Sequence, residues 1–158
     1  MKKALLMPLI ILLLAVFGSP DIQASAVAEG VNGGGADQPE SPAPLPTGDP
    51  ENVISMFSAA YDDVPVDTWR TPWSAADYQE VDIDGRTVKL YTNLNFVGIE
   101  TIANQLDVNE MGFFNVDVWT PNMDVFRVKL VDFGPDGQFG GGDDTEHEVV
   151  FTGLPKGE

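Results

Sequence analysis

The chain has no cysteine, one histidine and few basic residues, and each shortage excludes a class of function. Its 158 residues include 8 Lys and Arg against 25 Asp and Glu, which gives a formal net charge of −17. Without cysteine there is no disulfide framework and no lipid-modified cysteine. The negative charge disfavours nucleic acid and anionic membrane as partners, because both are polyanions. Neutral ligands and divalent cations fit this charge.

Long hydrophobic runs are also absent, except for one at the N-terminus. Two lysines begin the chain, residues 4–17 are apolar apart from Pro8, and Ala24-Ser25-Ala26 follows. This order is typical of a cleaved signal peptide, which we place at residues 1–26. The alternative, a membrane anchor, needs about 20 apolar residues. The protein is therefore expected to be secreted or periplasmic, with no membrane contact after cleavage.

Residues 27–50 are rich in glycine and proline, which together account for ten of these 24 positions. Such a composition cannot form an apolar face and predicts a disordered linker. Residues 51–158 are then the one folded module, because the remaining length suits a single domain.

The folded region shows no convincing helical periodicity, and its short apolar stretches are separated by turn signals. Strands are predicted at residues 52–61, 94–99, 101–108 and 148–152, together with two hairpins. This pattern predicts an all-β fold, for which we favour a jelly-roll-like β-sandwich.

The first hairpin is predicted at Asp84-Gly85, a dipeptide that favours a two-residue turn. This turn places Val81 opposite Val88 and Glu80 opposite Lys89. The polarity of the two strands agrees with that register.

The second hairpin is predicted over residues 111–132, with its turn at residues 120–124. Pairing Trp119 with Val125 places Asp117 opposite Arg127 and Asn115 opposite Lys129. The apolar residues of both strands then share the other face: Phe114, Val116, Val118, Phe126, Val128 and Leu130.

Several short stretches are similar to one known family. They are FSAAYDDV at 57–64, DTW at 67–69, YTNL at 91–94, DVWTP at 117–121, KLVDFG at 129–134 and GGGDD at 140–144. In combination they resemble carbohydrate-binding-module-like β-sandwiches. Such modules accompany secreted bacterial glycoside hydrolases of the laminarinase or β-glucanase type, and occur in glycan-binding proteins. The resemblance covers residues 52–152.

The resemblance implies a jelly roll that binds polysaccharide, with β-glucan favoured, and that performs no catalysis. In the family, the module continues with a further Trp-Val-Ser-Leu-Asp-like strand and others, so the module here is expected to be incomplete at its C-terminus. The alternative is the N-terminal part of a secreted glycoside hydrolase whose catalytic domain is not in this chain.

Candidate sugar-binding residues are aromatic and polar side chains that could lie on one surface. Pyranose rings stack on flat aromatic faces, and neighbouring polar groups bind their hydroxyls. In the predicted register, Trp119 lies on the polar face of its strand. Two other tryptophans lie in a proline-containing loop. Each of these side chains could instead cover the core. The candidates are Trp69, Trp73, Asn115, Asp117, Trp119, Arg127 and Lys129.

A glycine-rich acidic loop after the second hairpin is a candidate calcium site. Calcium takes six to eight oxygen ligands, and glycines let the backbone wrap around the ion. The spacing is not that of an EF-hand, and a solvated acidic turn explains it equally well. A calcium-stabilised adhesion domain is therefore a further alternative. The candidate ligands are Asp132, Asp136, Asp143, Asp144 and Glu146.

No catalytic motif is present. The single histidine, His147, lies between two glutamates without the helix or the second histidine of a zinc protease. A glycosidase needs two opposed carboxylates, and nothing in the sequence marks such a pair. We expect no catalysis by these residues.

Overall fold

The computed structural model describes residues 9–16 and 38–156, and within them the fold is all-β, as predicted. Its elements are β1 (Leu9–Val16), a 3₁₀ turn (Pro50–Asn52), β2 (Ala75–Ile83), β3 (Arg86–Glu100), β4 (Val125–Asp132) and β5 (Thr145–Thr152). The strands form one five-stranded sheet in the order β2-β3-β1-β4-β5. Every neighbouring pair is antiparallel. None of the described residues belongs to a helix with the length and hydropathy of a membrane span.

The β2–β3 hairpin has the predicted turn and register. Val81 pairs with Val88 and Glu80 with Lys89. Asp84 and Gly85 have φ angles of 50° and 77°. A two-residue turn with two positive φ angles matches the right-handed twist of the flanking strands, which explains why this dipeptide folds here.

β3 is fifteen residues long and has two parts. Its first part pairs with β2 as far as Thr92, and the pairing then resumes at Phe96 opposite Ala75. Between them Asn93 has a φ of 51°, so the strand bulges and turns its second part towards β1.

The central strand of the sheet, β1, comes from the segment predicted to be a signal peptide. Five of its residues pair with β3 and all eight pair with β4. The rest of the predicted signal peptide, and residues 27–37 of the predicted linker, lie outside the described residues. The prediction of cleavage after residue 26 therefore stays a prediction.

The sheet has two different faces beyond the β2–β3 hairpin. The core face carries Val97 and Ile99 of β3 with Phe126 and Val128 of β4, all of them buried. Register places the intervening positions on the other side, which we call the open face. The open face carries Phe96, Gly98, Arg127 and Lys129 on these strands, and Glu146, Glu148 and Val150 on β5.

Loops, rather than a second sheet, cover the core face in the described part of the chain. Met56, Val66 and Trp69 pack against the core cluster from one loop, and Val108 packs against it from another. The strands predicted at residues 52–61 and 101–108 are therefore wrong. The first of these stretches makes one isolated bridge, between Ser55 and Asp63. Both are held by packing against the sheet and not by a ladder of backbone hydrogen bonds.

The second predicted hairpin is wrong in its first arm. Residues 111–120 form no strand, and Phe113 is 90% exposed. The second arm is β4, but its two edges are taken by β1 and β5. The cause is competition: β1 occupies the position that the first arm was predicted to take.

The described end of the predicted linker, residues 38–49, is irregular and touches the folded region at two points. The Tyr61 hydroxyl donates to the Gly48 carbonyl at 2.9 Å, and Arg86 Nη1 donates to the Ala43 carbonyl at 2.8 Å. This end of the linker therefore has a defined place beside the β2–β3 hairpin.

Candidate functional site

An exposed tryptophan lies on the open face of the sheet. The Trp73 ring stacks on Phe96 with a centroid distance of 6.2 Å and an interplanar angle of 21°. It also lies over Gly98, where an added Cβ would approach the Trp73 Cη2 to 2.2 Å. The side chain is nevertheless 49% exposed. Glycine at position 98 is thus what allows the indole to approach the sheet while about half of the side chain stays in solvent.

A buried polar turn fixes this tryptophan although it lies in a loop. The Thr71 N–H donates to the Gly98 carbonyl at 3.1 Å, and the Gly98 N–H donates to Ser74 Oγ at 3.0 Å. The two hydroxyls of Thr71 and Ser74 are 2.8 Å apart and hydrogen-bonded. Because both side chains are buried, these bonds are protected from water and hold the turn on β3.

A row of alternating charges lies on the same face. Arg127 Nη1 contacts Glu148 Oε1 at 2.7 Å, and Lys129 Nζ contacts Glu146 Oε2 at 2.9 Å. Gly98 and Lys129 lie in one row across the sheet, two strand spacings apart, which is about 10 Å. The predicted partners Asp117 and Asn115 are not in contact with these cations; β5 supplies the partners instead.

The structure does not bring residues 115, 117 and 119 to the open face. Their neighbours Val116 and Val118 line a shallow depression with Phe126, Phe151 and Leu154, on the core-face side. Asn115 and Asp117 are exposed, and Trp119 is half-buried. Of the predicted sugar-binding residues, Trp73, Arg127 and Lys129 therefore share a surface, and Asn115, Asp117 and Trp119 do not join them.

Trp69 has a different environment, which sequence reasoning missed. Lys89 Nζ lies 4.0 Å from the ring centroid of Trp69 and 4.0 Å from that of Phe57. The same ammonium contacts Glu80 Oε1 at 2.7 Å, and the Tyr78 ring is 5.8 Å away. Trp69 thus belongs to an aromatic cage around a buried lysine and not to the open face. The Glu80–Lys89 register was predictable, but the two aromatic rings come from a distant loop.

The cage changes the ionisation of its neighbours. Burial, and then the hydrogen bond to Glu80 and the charge of that residue, raise the pKa of Tyr78 to about 12. Burial also raises the pKa of Tyr91, whose ring centroid lies 5.1 Å from that of Tyr78. Hydrogen bonds from Lys89 and Tyr78 hold the pKa of the Glu80 carboxyl below its ordinary value.

Stability is expected to fall in alkali as these tyrosines ionise. The folded state holds the Tyr78 proton more tightly than the unfolded chain, whose tyrosine pKa is 10.0. Its contribution is therefore complete below pH 10 and is lost as the pH rises through about 12. Denaturant unfolding across this window, with phenolate absorbance as the probe, measures the effect. A Tyr78→Phe chain should lose less stability in alkali, and an equal loss in both would contradict the assignment.

The acidic loop makes most of its contacts within itself. Asp132 accepts from the Gly134 N–H at 2.8 Å, Asp136 from the Gln138 N–H at 2.8 Å and Asp144 from the Gly140 N–H at 2.7 Å. Glu146 is paired with Lys129, as described above.

Two of the predicted calcium ligands, Asp136 and Asp143, lie close to Gly141. A Cβ added there would be 2.6 Å and 2.7 Å from their carboxylate oxygens. Within residues 38–156, no three candidate metal ligands form a group. Calcium binding by this loop therefore stays a prediction.

Comparison of the chain with models of protein families, with curated proteins and with solved structures gives no match. Its function therefore has to be inferred from its own residues. The open face carries both an exposed aromatic ring, Trp73, and charged side chains that are held in ion pairs.

Proposed function

We propose that the folded region is a non-catalytic carbohydrate-binding module for polysaccharide of the β-glucan type. The observation that supports this most is the Trp73 indole, which stacks on Phe96 beside Gly98 on the open face and is 49% exposed. The Arg127–Glu148 and Lys129–Glu146 pairs provide hydrogen-bonding groups on the same surface.

The chemistry of a neutral sugar fits this surface. The C–H face of a pyranose is apolar and gains from contact with an aromatic ring, whereas its hydroxyls need donors and acceptors at the rim. The Arg127–Glu148 and Lys129–Glu146 pairs offer both donors and acceptors to the sugar hydroxyls. Because the two charges of each pair already contact each other, sugar binding leaves no buried charge unpaired. The Thr71–Ser74 turn holds the ring in place before binding, which reduces the entropy lost on association.

The distribution of charge favours a neutral glycan over an anionic one. Beyond residue 26 the chain has six Lys and Arg residues, and each contacts an acidic side chain or a backbone carbonyl of the protein: Arg70, Arg86, Lys89, Arg127, Lys129 and Lys156. Four of the six are paired with a carboxylate, and the large acidic surplus of the chain repels an anionic polymer. Alginate should therefore bind less well than laminarin.

We also propose the jelly-roll-like β-sandwich and the export of the protein by its N-terminal signal. Val149 and Phe151 of β5 continue the core face and are exposed. In a sandwich, a second sheet about 10 Å away covers a surface of this kind. The resemblance of residues 52–152 to the carbohydrate-binding family supports the same arrangement.

Trp73→Ala is expected to weaken polysaccharide binding about tenfold, or about 1.4 kcal/mol, because an aromatic contact with the sugar is lost. Affinity electrophoresis against laminarin, mixed-linkage glucan, xylan and alginate measures the effect. The matched control is Phe139→Ala, which removes an exposed aromatic ring from the acidic loop and should leave binding unchanged. Retardation by none of the four polymers would refute the proposed function, and equal loss in both variants would refute the role of Trp73.

Calcium is expected to raise the melting temperature by mass action, because the ion would bind only the folded loop. The measurement is thermal unfolding with millimolar calcium and with a chelator. Asp143→Asn should abolish the difference, whereas Asp62→Asn, in another loop, should preserve it. Identical melts with calcium and with chelator would show that the loop is a self-contained acidic turn.

A further inference from the structure

The position of β1 poses a problem for an exported protein. β1 lies within the predicted signal peptide, yet it is the strand that joins β3 to β4. In the described part of the chain, no other strand links the β2–β3 hairpin to the β4–β5 hairpin. Cleavage after residue 26 would therefore divide the sheet into two halves unless another strand took this position.

The chain contains a segment with the pattern of the missing strand. Residues 114–118 alternate apolar and polar side chains, as a half-buried strand does, and an aromatic residue flanks them on each side. They form no ladder, and Phe114, Val116 and Val118 are between 42% and 48% exposed. Burying these side chains in the sheet would remove apolar surface from water, which favours folding.

The direction of this segment is also correct. It lies between β3 and β4 in the sequence, so a strand there would form a simple antiparallel meander with both. β1 is likewise antiparallel to β3 and to β4. Residues 113–119 could thus replace β1 without reversing any neighbour. The turn at residues 120–124 has a length common in β-hairpins.

The register places the apolar side chains on the core face. When Trp119 is opposite Val125, residues 118, 116 and 114 are opposite three residues of β4 that contribute to the core: Phe126, Val128 and Leu130. The Cα atoms of β1 that now occupy those positions belong to Ala15, Leu13 and Ile11. The exchange therefore puts apolar residue types at the register positions opposite Phe126, Val128 and Leu130, which apolar residue types also hold in β1.

On the open face the same register supplies a partner that is absent when β1 is in place. Leu14 is now opposite Arg127, and Arg127 Nε is buried without a hydrogen-bond partner among the described residues. The exchange would put the Asp117 carboxylate at that position, and a carboxylate can accept from Nε while Nη1 stays paired with Glu148. Asn115 would likewise replace Leu12 beside Lys129.

We propose that residues 113–119 replace Leu9–Val16 between β3 and β4 once the N-terminal segment has been removed. Asn115, Asp117 and Trp119 then join Trp73, Arg127 and Lys129 on the open face. The exchange itself does not depend on a ligand; that it completes a glycan-binding surface rests on the proposed function. The uncleaved chain has the incomplete surface, so sugar binding is coupled to export.

Because the chain has no cysteine, a pair of introduced cysteines can report the exchange. Asn115→Cys with Lys129→Cys tests it directly, since residues 111–120 now border the core-face side and Lys129 is on the open face. A short thiol crosslinker should join this pair in the chain of residues 27–158 and not in the chain of residues 1–158. The control is Lys129→Cys with Glu148→Cys, which are opposite in register and should be joined in both chains.

A proline variant separates the exchange from any other effect of shortening the chain. Leu12→Pro places proline in the centre of β1, where it removes a backbone donor and disfavours a central strand. In the full chain, this substitution alone should allow residues 113–119 to enter the sheet. It should then produce the crosslink between the cysteines introduced at positions 115 and 129.

Three results would overturn the proposal. They are absence of the crosslink in residues 27–158 while the control pair is joined, equal crosslinking with and without the N-terminal segment, and loss of the control crosslink in the shorter chain. The last would mean that the sheet does not form after cleavage. None of these readouts involves sugar, so failure of the exchange and failure of glycan binding are distinguishable.

Discussion

Phe126→Ala is expected to lower the free energy of unfolding of the full-length chain by about 3–5 kcal/mol, the cost typical of truncating a buried phenylalanine. Phe126 is 3% exposed and belongs to the core cluster on the core face. Its ring centroid is 6.2 Å from that of Phe151, so the substitution also removes an aromatic contact with β5. Because small domains have a total stability of about 5–15 kcal/mol, this loss is a large part of the whole.

The control for this substitution is Phe113→Ala in the same chain. Phe113 is 90% exposed, so its truncation should change the stability by less than about 0.5 kcal/mol. Denaturant unfolding of both variants gives the comparison. A similar loss from the two substitutions would mean that residues 111–120 pack in the core of the uncleaved chain, contrary to the fold described above.

Lys89→Ala should lower the free energy of unfolding by about 2 kcal/mol, which is the upper part of the range for a desolvated cation–π contact. The Lys89 side chain is only 9% exposed, and its ammonium lies 4.0 Å from each of two aromatic ring centroids. The alanine variant loses these contacts and leaves a gap between the loop and the β2–β3 hairpin. The ion pair with Glu80 adds little, because that carboxylate is in water.

Lys129→Ala is the matched control, since Lys129 also forms a cross-strand ion pair with a glutamate. Among the described residues, no aromatic ring surrounds Lys129 as in the cage of Lys89, so Lys129→Ala should lower the free energy of unfolding by less than about 1 kcal/mol. Thermal or chemical unfolding measures both. If Lys129→Ala is as costly as Lys89→Ala, the ion pair and not the cage accounts for the effect of Lys89.

The features that sequence predicted correctly are local. The Asp84-Gly85 turn determines its own backbone angles and therefore the pairing of Glu80 with Lys89. The second part of β3, together with β4 and β5, was recognisable because β-branched and aromatic residues are concentrated in short stretches. None of these depends on residues far away in the chain.

The features that were missed depend on competition and on distant contacts. Residues 113–119 have the pattern of a strand, yet a more apolar segment of the chain occupies their place beside β4. The stretch at residues 52–61 carries apolar residues because it covers the core face, and packing of that kind leaves no period-two signal in the sequence.

The candidate site shows the same division. Trp73 was proposed as a ligand contact because a loop tryptophan has no position in a strand register, and the structure places it on the open face, where Gly98 leaves room for its ring. Trp69, two residues before the buried turn, satisfied the same criterion and instead lies beside Lys89. Only the three-dimensional contact with the ammonium distinguishes these two tryptophans.

All six Lys and Arg residues beyond residue 26 contact groups of their own molecule, and under the proposed function this bears on how closely molecules could lie on one polymer. Because these residues are far outnumbered by acidic ones, each molecule carries a large negative net charge, so molecules bound side by side on a polysaccharide, as the proposed function implies, would repel one another. The range of that repulsion is the Debye length, about 30 Å in 0.01 M salt and about 3 Å in 1 M salt. Under the proposed function, the spacing of bound molecules on a polysaccharide should therefore decrease as ionic strength rises, even though the affinity for a neutral sugar should not change.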